Sequence, residues 1–368
     1  MDKNINFFST TISKKGIDNV VQVLESGLIS AGKMADKFEI ELSKYGFKNP
    51  VTLNSGTVTM HLALIASGVK EGDEVIIPAQ TFIATGLAVL YVGAVPVFAD
   101  INSYDGNISI ESIKDKITDK TKAIIPVHWG GYPCDMDGIN QIAKEYNLSV
   151  IEDAAHAFGS EYKGKKIGSI SRFTSFSFQA IKHLTTGDGG VLCCENKNDY
   201  DLIKRLRWFD IDRENSKVGF LGEREYDAIN LGYKYHMNDL SASLGMGNLE
   251  SINEKLQRIE EISLLYNKEF ENVSGLKKMS YDDDRKSSYW LYPILVERRN
   301  DFIKKMKEKK IPVSVVHLGI DKNTVFGGIK NDLINQRFFD KNQIHLPIND
   351  QLSNDQINYI INSVTSGW

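Results

Sequence analysis

The sequence has few cysteines, no marked excess of either charge and no long uninterrupted apolar run. Its three cysteines, Cys134 and the adjacent Cys193 and Cys194, are odd in number and lack the spacing of zinc ligands, which is typical of a protein kept reduced. The formal net charge of −4 offers no general attraction to nucleic acid or to an anionic membrane surface. We therefore expect no nucleic-acid partner and no metal site.

No stretch of the sequence is suited to enter a membrane. The longest apolar stretch, residues 83–98, contains Gly86, Gly93 and Pro96 and is too short and interrupted to span a bilayer. The first fifteen residues lack the basic and then apolar pattern of a signal peptide. We expect a cytoplasmic protein without a membrane partner.

Short apolar runs alternate with helical patterns from residue 51 to about residue 194. This alternation predicts right-handed crossover units, and hence an α/β fold with a mostly parallel seven-stranded sheet flanked by helices. Ligands of such sheets bind beyond the carboxyl ends of the strands. The predicted strands are Val51–Leu53, Glu74–Pro78, Val95–Ala99, Ala123–Val127, Leu148–Glu152, Phe173–Phe178 and Gly190–Cys194.

The length of 368 residues favours two domains. We assign residues 1–237 to a large domain and residues 238–368 to a smaller C-terminal α+β domain. The smaller domain is predicted to begin with one long bridging helix, from about residue 238 to residue 271, and to contain strands at 288–296 and 312–317. Residues 208–230 are predicted to form an exposed excursion. An N-terminal helix at 13–26 has its predicted apolar face at Ile17, Val20, Val21 and Leu24.

Lys182 follows an apolar, β-prone run and precedes a turn that contains Gly187, Gly189 and Gly190. The lysine is therefore expected at the end of a strand, where the backbone bends. Burial there would lower its pKa and make its amine a candidate for covalent attachment to an aldehyde. A strand-end lysine that extends into solvent explains this segment equally well.

Three further groups of residues follow other predicted strands. Ser55–Gly56–Thr57 opens a predicted helix, so its amide N–H groups and hydroxyls could bind a phosphate or could only cap the helix. Asp153 ends the fifth strand, where a buried carboxylate needs a cation, either a protonated heterocyclic nitrogen or a structural salt-bridge partner. Phe82 follows the second strand and either faces a bound ring or packs in the core.

These groups would meet at one edge of the sheet. A phosphate cradle, a ring-stacking aromatic, a carboxylate for a ring nitrogen and a lysine for an aldehyde are together the parts that bind pyridoxal 5′-phosphate (PLP). The sequence therefore predicts a PLP site. A dinucleotide-binding protein is disfavoured, because no G-x-G-x-x-G turn follows the first strand.

Several longer segments carry a family resemblance. They include SGLISAGKMADKFE, NSGT, GDEVIIPAQTFIAT, VIEDAAHAFGS, SFSFQAIKHLTTGDGG and LGYKYHMNDLSASLG. In these segments, which extend over nearly the whole chain, the sequence resembles the DegT/DnrJ/StrS family of PLP-dependent nucleotide-sugar aminotransferases. That resemblance implies the fold of the type I aspartate aminotransferases.

The resemblance also implies roles for individual residues. Lys182 would bind the cofactor aldehyde and move a proton between cofactor and substrate carbons. Asp153 would keep the ring nitrogen protonated, and Phe82 would stack on the ring. The cofactor phosphate would be held by Ser55, Gly56, Thr57 and Ser177.

The sequence departs from the family pattern at positions near the expected cofactor. His156 stands where many relatives have glutamine, and could still hydrogen-bond near the ring hydroxyl. Lys234 stands where the family has an asparagine that reaches the phosphate across a dimer interface, and either Lys234 or the nearby His236 would replace that contact. Gln179 stands where many relatives have histidine. Candidates for contacts with the nucleotide or the hexose are Lys33, Arg213, Arg224 and His317.

The resemblance implies a two-step transfer of an amino group by a homodimer with shared active sites. Glutamate would first convert PLP to pyridoxamine 5′-phosphate, which would then aminate a keto group of a nucleotide-linked keto-deoxysugar for glycan biosynthesis, with C4 favoured over C3. Lys182 argues against the dehydratases of the family, which have histidine there. A non-catalytic regulatory protein that binds PLP or a sugar nucleotide is the alternative, disfavoured because both Lys182 and Asp153 are retained.

Overall fold

The computed structural model describes residues 4–213 and 216–368. Residues 214–215 of the predicted excursion lie outside the described residues. The strands, numbered along the chain, are β1 (Pro50–Leu53), β2 (Glu74–Pro78), β3 (Val95–Ala99), β4 (Thr121–Ile124), β5 (Ser149–Asp153), β6 (Glu161–Tyr162), β7 (Lys165–Lys166), β8 (Phe173–Ser177), β9 (Gly190–Cys194), β10 (Lys217–Val218), β11 (Arg224–Glu225), β12 (Leu276–Lys278), β13 (Arg285–Lys286), β14 (Tyr292–Val296) and β15 (Gln343–Leu346).

Helices flank these strands along most of the chain. They are α1 (Lys14–Ser26), α2 (Met34–Tyr45), α3 (Gly56–Ala66), α4 (Ile83–Tyr91), α5 (Ile110–Lys116), α6 (Met136–Tyr146), α7 (Lys197–Leu206), α8 (Asp239–Leu249), α9 (Ile252–Glu269), α10 (Arg299–Glu308), α11 (Ile334–Asn342) and α12 (Asn354–Thr365). Across residues 4–213 and 216–368, none of these helices is both long and apolar enough to span a membrane.

The predicted seven-stranded, mostly parallel sheet is confirmed within the described residues. Its strand order is β1-β9-β8-β5-β4-β2-β3. Strand β9 runs antiparallel to both of its neighbours, whereas the other pairs are parallel. The carboxyl ends of β1, β2, β5 and β8 therefore lie at the same edge of the sheet.

Both faces of the sheet are buried, which is why its strands read as continuous apolar runs. Successive side chains of a strand point to opposite faces. On β2, Ile76 belongs to one apolar cluster, whereas Val75 and Ile77 belong to the cluster on the other face. All three side chains are fully buried, so the sheet lies between two apolar layers.

Most of the apolar face predicted for α1 is exposed in the single chain. Ile17, Val21 and Leu24 are 46%, 45% and 56% exposed, and the buried residues are Gly16, Asn19 and Val23. Helix α1 packs against α8 so closely that a Cβ on Gly247 would lie 2.2 Å from the Gly16 nitrogen. Small residues make this contact because the two backbones approach each other, and the side-chain amide of Asn19 donates to the Ser243 carbonyl at 3.2 Å.

The single long helix predicted after residue 238 is wrong. Helices α8 and α9 are separate, because Ser251 between them has φ −102° and ψ 8° and leaves the helical conformation. Helix α8 packs against α1 and α2, and β13 pairs with β6. The C-terminal part is thus interleaved with the large sheet unit, and a domain boundary at residues 237 and 238 stays a prediction.

The C-terminal sheet differs from the prediction, which contained neither β12 nor β15. Strand β14 lies between β12 and β15, whereas residues 312–317 contribute only an isolated bridge from Ser314 to His345. Pro312 has no N–H to give to a ladder. The sheet position expected for 312–317 is taken by β15, whose four residues are all buried.

Candidate active site

A cavity of about 310 Å³ opens at the carboxyl edge of the large sheet. It has the size of a small-molecule site. Eight of the nine sequence-predicted site residues line it, together with side chains from the C-terminal part of the chain. The eight predicted residues are Ser55, Gly56, Thr57, Phe82, Asp153, His156, Ser177 and Lys182.

The N-terminus of α3 forms one end of the cavity. Ser55 has the extended backbone of an N-cap residue, and its hydroxyl accepts from the Val58 amide at 3.4 Å. A Cβ on Gly56 would lie 2.8 Å from the Ser177 Cβ, so only glycine lets the helix start this close to the end of β8. This end of the cavity suits an anion. It combines amide N–H groups, the hydroxyls of two serines, the positive end of a helix dipole and Thr57.

Asp153 ends β5 with a buried carboxylate. Its Oδ2 accepts from the Thr85 hydroxyl at 2.7 Å, and its Oδ1 accepts from the Ala155 amide at 3.1 Å. Thr85 is in turn bonded to the Thr81 hydroxyl at 2.7 Å, and because the Thr85 proton goes to Asp153, Thr81 must be the donor. Burial raises the pKa of Asp153, and the two hydrogen bonds oppose that rise.

Lys182 lies five residues beyond the end of β8, on bent backbone rather than at the strand end itself. Its amide donates to the Gln179 carbonyl at 2.9 Å. Gly187, which follows, has a φ of 83° that favours glycine. Loss of solvent around the amine lowers the pKa of Lys182 to about 7, against the opposing effect of Asp153.

His156 lies in the cavity wall with a buried side chain. Its ring is stacked on the Trp290 indole, with centroids 3.8 Å apart and planes 16° from parallel. Burial and the nearby Lys182 hold the pKa of His156 well below its usual value, so the ring is neutral. Its Nδ1 is buried and has no hydrogen-bond partner in the described residues, which leaves it available to a ligand.

Phe82 and His317 form a further part of the cavity wall. Phe82 precedes α4 and is 55% exposed, which is unusual for a core phenylalanine and leaves its ring accessible. The His317 ring lies 5.2 Å away, at 40° to the phenyl ring. Burial lowers the pKa of His317 to about 4, so this wall is uncharged near neutral pH.

Lys234 does not line this cavity in the single chain. Its Nζ lies 3.4 Å from the centre of the Trp208 ring, and Arg213 lies over the same ring at 4.6 Å. Arg213 and Arg224 line a separate cleft of about 720 Å³, which also contains several carboxylates. The contact predicted for Lys234 is to a second copy of the chain, and it stays a prediction.

Sequence reasoning missed Thr85 and Trp290. Thr85 follows Phe82 by one helical turn, so its hydroxyl could have been placed near the same strand ends. Trp290 lies two residues before the start of β14 and lines the cavity from the C-terminal part of the chain. Nothing in the local pattern of residues 288–296 distinguishes it from an ordinary core aromatic.

The chain matches a known family along nearly its whole length. The sequence profile of the DegT/DnrJ/EryC1/StrS aminotransferase family matches residues 10–365. GDP-perosamine synthase of Escherichia coli O157:H7 is 35% identical over 98% of this chain and 98% of that protein. A Campylobacter jejuni (strain 81-176) UDP-4-amino-4,6-dideoxy-N-acetyl-beta-L-altrosamine transaminase is 38% identical over 79% of this chain and 76% of that protein.

Other comparisons agree with this match. UDP-4-amino-4-deoxy-L-arabinose–oxoglutarate aminotransferase of Shewanella sediminis is 35% identical over 83% of this chain and 80% of that protein. The crystal structure of AtS13 from Actinomadura melliaura has a TM-score of 0.94, with 32% identity over 99% of both chains. The PLP form of Spr1654 from Streptococcus pneumoniae has a TM-score of 0.89, with 31% identity over 99% of this chain and 98% of that chain.

Proposed function

Because the chain belongs to the DegT/DnrJ/EryC1/StrS aminotransferase family, we propose that it is a PLP-dependent aminotransferase. It transfers the amino group of glutamate to the C4 keto group of a nucleotide-linked keto-deoxysugar. The observation that carries the proposal is the meeting of Lys182, Asp153 and the N-terminus of α3 in one cavity. The lysine amine suits the aldehyde of PLP, the carboxylate suits its ring nitrogen, and the helix N-terminus suits its phosphate.

The described residues fit this cofactor. The cradle formed by Gly56 and Ser177 leaves no room for a Cβ, and so exposes backbone amides to a phosphate. The unpartnered Nδ1 of His156 is a hydrogen-bonding position for a ring substituent. When bound, PLP supplies an electron-withdrawing ring that stabilises negative charge on the substrate carbon attached to the transferred nitrogen.

Lys182 and Asp153 have separate tasks in this proposal. Because burial lowers the pKa of Lys182 to about 7, the neutral amine is populated near neutral pH, and it can attack an aldehyde or accept a proton from a substrate carbon. Asp153, with its oxygens fixed by Thr85 and Ala155, would accept a hydrogen bond from a protonated ring nitrogen. That cation would also compensate the cost of the buried carboxylate.

The remaining cofactor contacts follow from position. Ser55, Gly56, Thr57 and Ser177 would hold the phosphate, and Lys234 of a second copy would complete its neutralisation. Phe82, whose ring is accessible from the cavity, would stack on the cofactor ring.

The names of the relatives support the choice of substrates. Three relatives at 34–38% identity are named for sugars with nitrogen at C4 or for perosamine, which supports a nucleotide-sugar substrate and favours C4 over C3. The Shewanella relative is named for oxoglutarate, the keto acid that glutamate becomes when it donates its amine. His317 in the cavity wall is a candidate contact for the hexose.

A homodimer is also part of the proposal. Large apolar side chains are exposed on the single chain, and exposed apolar patches often mark protein interfaces. Several lie on α1 and on the segment that contains β10 and β11, including Ile17, Val21, Leu24, Phe220, Leu221, Ile229 and Leu231. The second of these segments adjoins Lys234, which we expect to act across the dimer.

Spectroscopy and product analysis test the proposal. Purified protein is loaded with PLP and mixed with glutamate, and we expect the absorbance of the bound aldehyde to disappear while 2-oxoglutarate is formed. A panel of nucleotide-linked keto-sugars is then added, and mass spectrometry with NMR identifies the product and the carbon aminated. Protein that binds PLP but never reacts with glutamate would instead be a regulatory binder.

Two lysine variants identify the attachment site. Lys182→Ala should lose both the borohydride-reducible cofactor and the glutamate reaction. Lys166→Ala is the matched control, because Lys166 also lies over an aromatic ring, that of Tyr45 at 3.6 Å, but lies outside the cavity. A reducible cofactor retained in Lys182→Ala would show that another lysine binds the aldehyde.

A further inference from the structure

The indole of Trp290 lies directly against the reactive lysine. Lys182 Nζ is 3.6 Å from the centre of the indole ring, a distance at which a cation is attracted to the ring face. Trp290 is only 4% exposed, and Lys182 is partly buried. Both side chains line the same cavity.

The indole ring lies closer to the amine than any carboxylate of the described residues does. Within residues 4–213 and 216–368, no carboxylate lies within 4.0 Å of Lys182 Nζ, although Asp153 is near enough to oppose the fall of its pKa. The carboxylate of Asp153 already accepts from Thr85 and Ala155. The ring face therefore contributes to the stabilisation of the ammonium at short range.

Three contacts fix the indole in this position. Its Nε1 donates to the Ile181 carbonyl at 2.9 Å, which joins the indole to the residue immediately before Lys182. The His156 ring is stacked on it at 3.8 Å, and the Phe8 ring at 5.2 Å and 22° from parallel. An indole held by a hydrogen bond and two stacked rings has little freedom to move away from the amine.

We propose that Trp290 is a positioning residue that holds the Lys182 amine over its ring face and sets the balance between the ammonium and the neutral amine. The proposal rests on the proposed function, in which that balance decides when the amine can attack an aldehyde or accept a proton. Trp290 joins no bond-making step itself. Its effect is exerted through the charge and the location of Lys182.

The other titratable groups around Lys182 do not mask the effect of the ring on the Lys182 pKa. The charged or titratable side chains facing it are Asp153 from β5, His156 and His183 from flanking loops, and His317 from the C-terminal part. Burial lowers the pKa of each of these histidines, so they stay neutral across the range in which Lys182 titrates. The Lys255–Asp350 pair, 3.8 Å apart, lines the small cavity behind Lys182 and is the same in every variant below.

Fluorination of Trp290 tests the proposal without changing the size of the side chain appreciably. Fluorotryptophans with one to four fluorine atoms are introduced at position 290 by stop-codon suppression in the full chain. In cofactor-free protein, the acetylation rate of Lys182 by acetic anhydride is followed by mass spectrometry as a function of pH. Because fluorine weakens the attraction of the ring for cations, the pKa of Lys182 should fall stepwise, by roughly 0.4 to 1.5 units over the series.

Matched substitutions separate this effect from a general disturbance. Trp368 packs against Phe302, away from the cavity, and its fluorination should leave the titration of Lys182 unchanged. Trp290→Phe retains a ring and should lie closer to the parent protein than Trp290→Leu, which has no ring face. A Lys182 pKa that is constant across the fluorinated series, or that rises, would overturn the proposal.

The test does not depend on catalysis. The titration is measured on cofactor-free protein, so it gives its result whether or not glutamate reacts with loaded enzyme. Failure of the glutamate reaction with a normal fluorination series would reject the proposed function and retain the role of Trp290. A flat fluorination series in a protein that does react with glutamate would reject only the role of Trp290.

Discussion

The carboxylate of Asp153 and the amine of Lys182 share one cavity without forming an ion pair within 4.0 Å in the described residues. Burial shifts both pKa values toward the neutral forms, upward for Asp153 and downward for Lys182. A close ion pair would have opposed both shifts. Keeping the two groups apart leaves each of them available to a different part of a ligand.

Thr85 offers a test of how Asp153 is kept charged. Its hydrogen bond to Asp153 Oδ2 stabilises the carboxylate and opposes the rise of its pKa. Thr85→Val removes the bond, so the pKa of Asp153 should rise further and the carboxylate should be lost at a higher pH. We expect kcat at neutral pH to fall about tenfold or more, with the acidic limb of the pH profile moved upward.

Thr85→Ser is the matched control for this prediction. It retains the hydroxyl that donates to Asp153 and removes only a methyl group, so its acidic limb should coincide with that of the parent protein. The measurement is kcat against pH for the three proteins at saturating substrates. An equal loss in both variants, without movement of the acidic limb, would mean that packing and not the hydrogen bond matters at this position.

Sequence reasoning could find site residues that lie at the carboxyl ends of strands or within a few residues of them. Lys182, Asp153, Phe82 and the Ser55–Thr57 turn could be placed at one edge because parallel strands end there together. Trp290 could not be found this way, since it reaches the cavity from another sheet and contacts Lys182 only through tertiary packing. No local sequence pattern indicates the hydrogen bond that its indole donates to the Ile181 carbonyl.

At the scale of elements, helix α1 shows where hydrophobic patterning fails. The pattern predicts the helix, but it assigns the buried face to the largest apolar side chains. The contact with α8 is instead made by glycine and asparagine, because a close approach of two backbones excludes large side chains. The apolar residues left exposed on α1 belong to the surface that we propose for the dimer.

The end of β5 depends on the buried side chain next to Asp153. Glu152 Oε1 accepts from the Ser171 amide and the Thr174 hydroxyl, at 3.1 and 3.0 Å. Glu152 Oε2 is 2.8 Å from His128 Nε2. Because His128 Nδ1 accepts from the Cys134 amide, Nε2 must carry the proton and donate it to Glu152. The carboxylate therefore accepts three hydrogen bonds, and each of its oxygens faces an N–H donor. A side chain with its own N–H group at this position would place two donors against each other.

Glu152→Gln should therefore destabilise the sheet although it preserves the shape of the side chain. The amide NH2 group would face either the His128 N–H or the Ser171 N–H, so that one buried donor loses its acceptor. We expect a loss of about 1–3 kcal/mol, observed as a lower midpoint of urea unfolding. Glu74→Gln, at the partly exposed start of β2, is the control and should change stability by less than about 0.5 kcal/mol.

The outcome for Glu152→Gln distinguishes two explanations of the buried pair. An unchanged midpoint would mean that His128 can change its tautomer, which requires the Cys134 amide to find another acceptor. A lowered midpoint together with an unaltered cofactor-binding constant would place the role of Glu152 in folding alone. In that case the Glu152 carboxylate would support the structure of β5, whereas the next residue, Asp153, would carry the proposed chemistry.

At the scale of the whole molecule, the large sheet was predictable and the C-terminal sheet was not. The seven strands of the large sheet are apolar runs separated by helices, and burial of both faces makes that pattern strong. In the C-terminal part, β12 and β15 were missed, and residues 312–317 were predicted as a strand but form only an isolated bridge. Strands of three to five residues carry too little local pattern to specify their pairing, which here depends on the tertiary contacts of β14 with β12 and β15.

The proposed homodimer gives Lys234 its role, because the phosphate contact proposed for this residue is made in a second copy of the chain. Lys234 does not line the Lys182 cavity of its own chain, and its Nζ lies over the Trp208 ring. If it contacts the phosphate in a second copy, each active site contains Lys182 from one chain and Lys234 from the other. Lys234→Ala alone should then weaken PLP binding by about tenfold.

Mixing two defective variants tests the shared site directly. Lys182→Ala and Lys234→Ala proteins are combined under conditions that exchange subunits, at a PLP concentration too low to load the Lys234→Ala homodimer. In a mixed dimer, one site receives its Lys182 from the second variant and its Lys234 from the first, and is complete. Random exchange should therefore restore about a quarter of the parent activity. Because a Lys234 that acts within its own chain leaves every mixed site defective, failure to recover activity after demonstrated subunit exchange would contradict the cross-dimer contact.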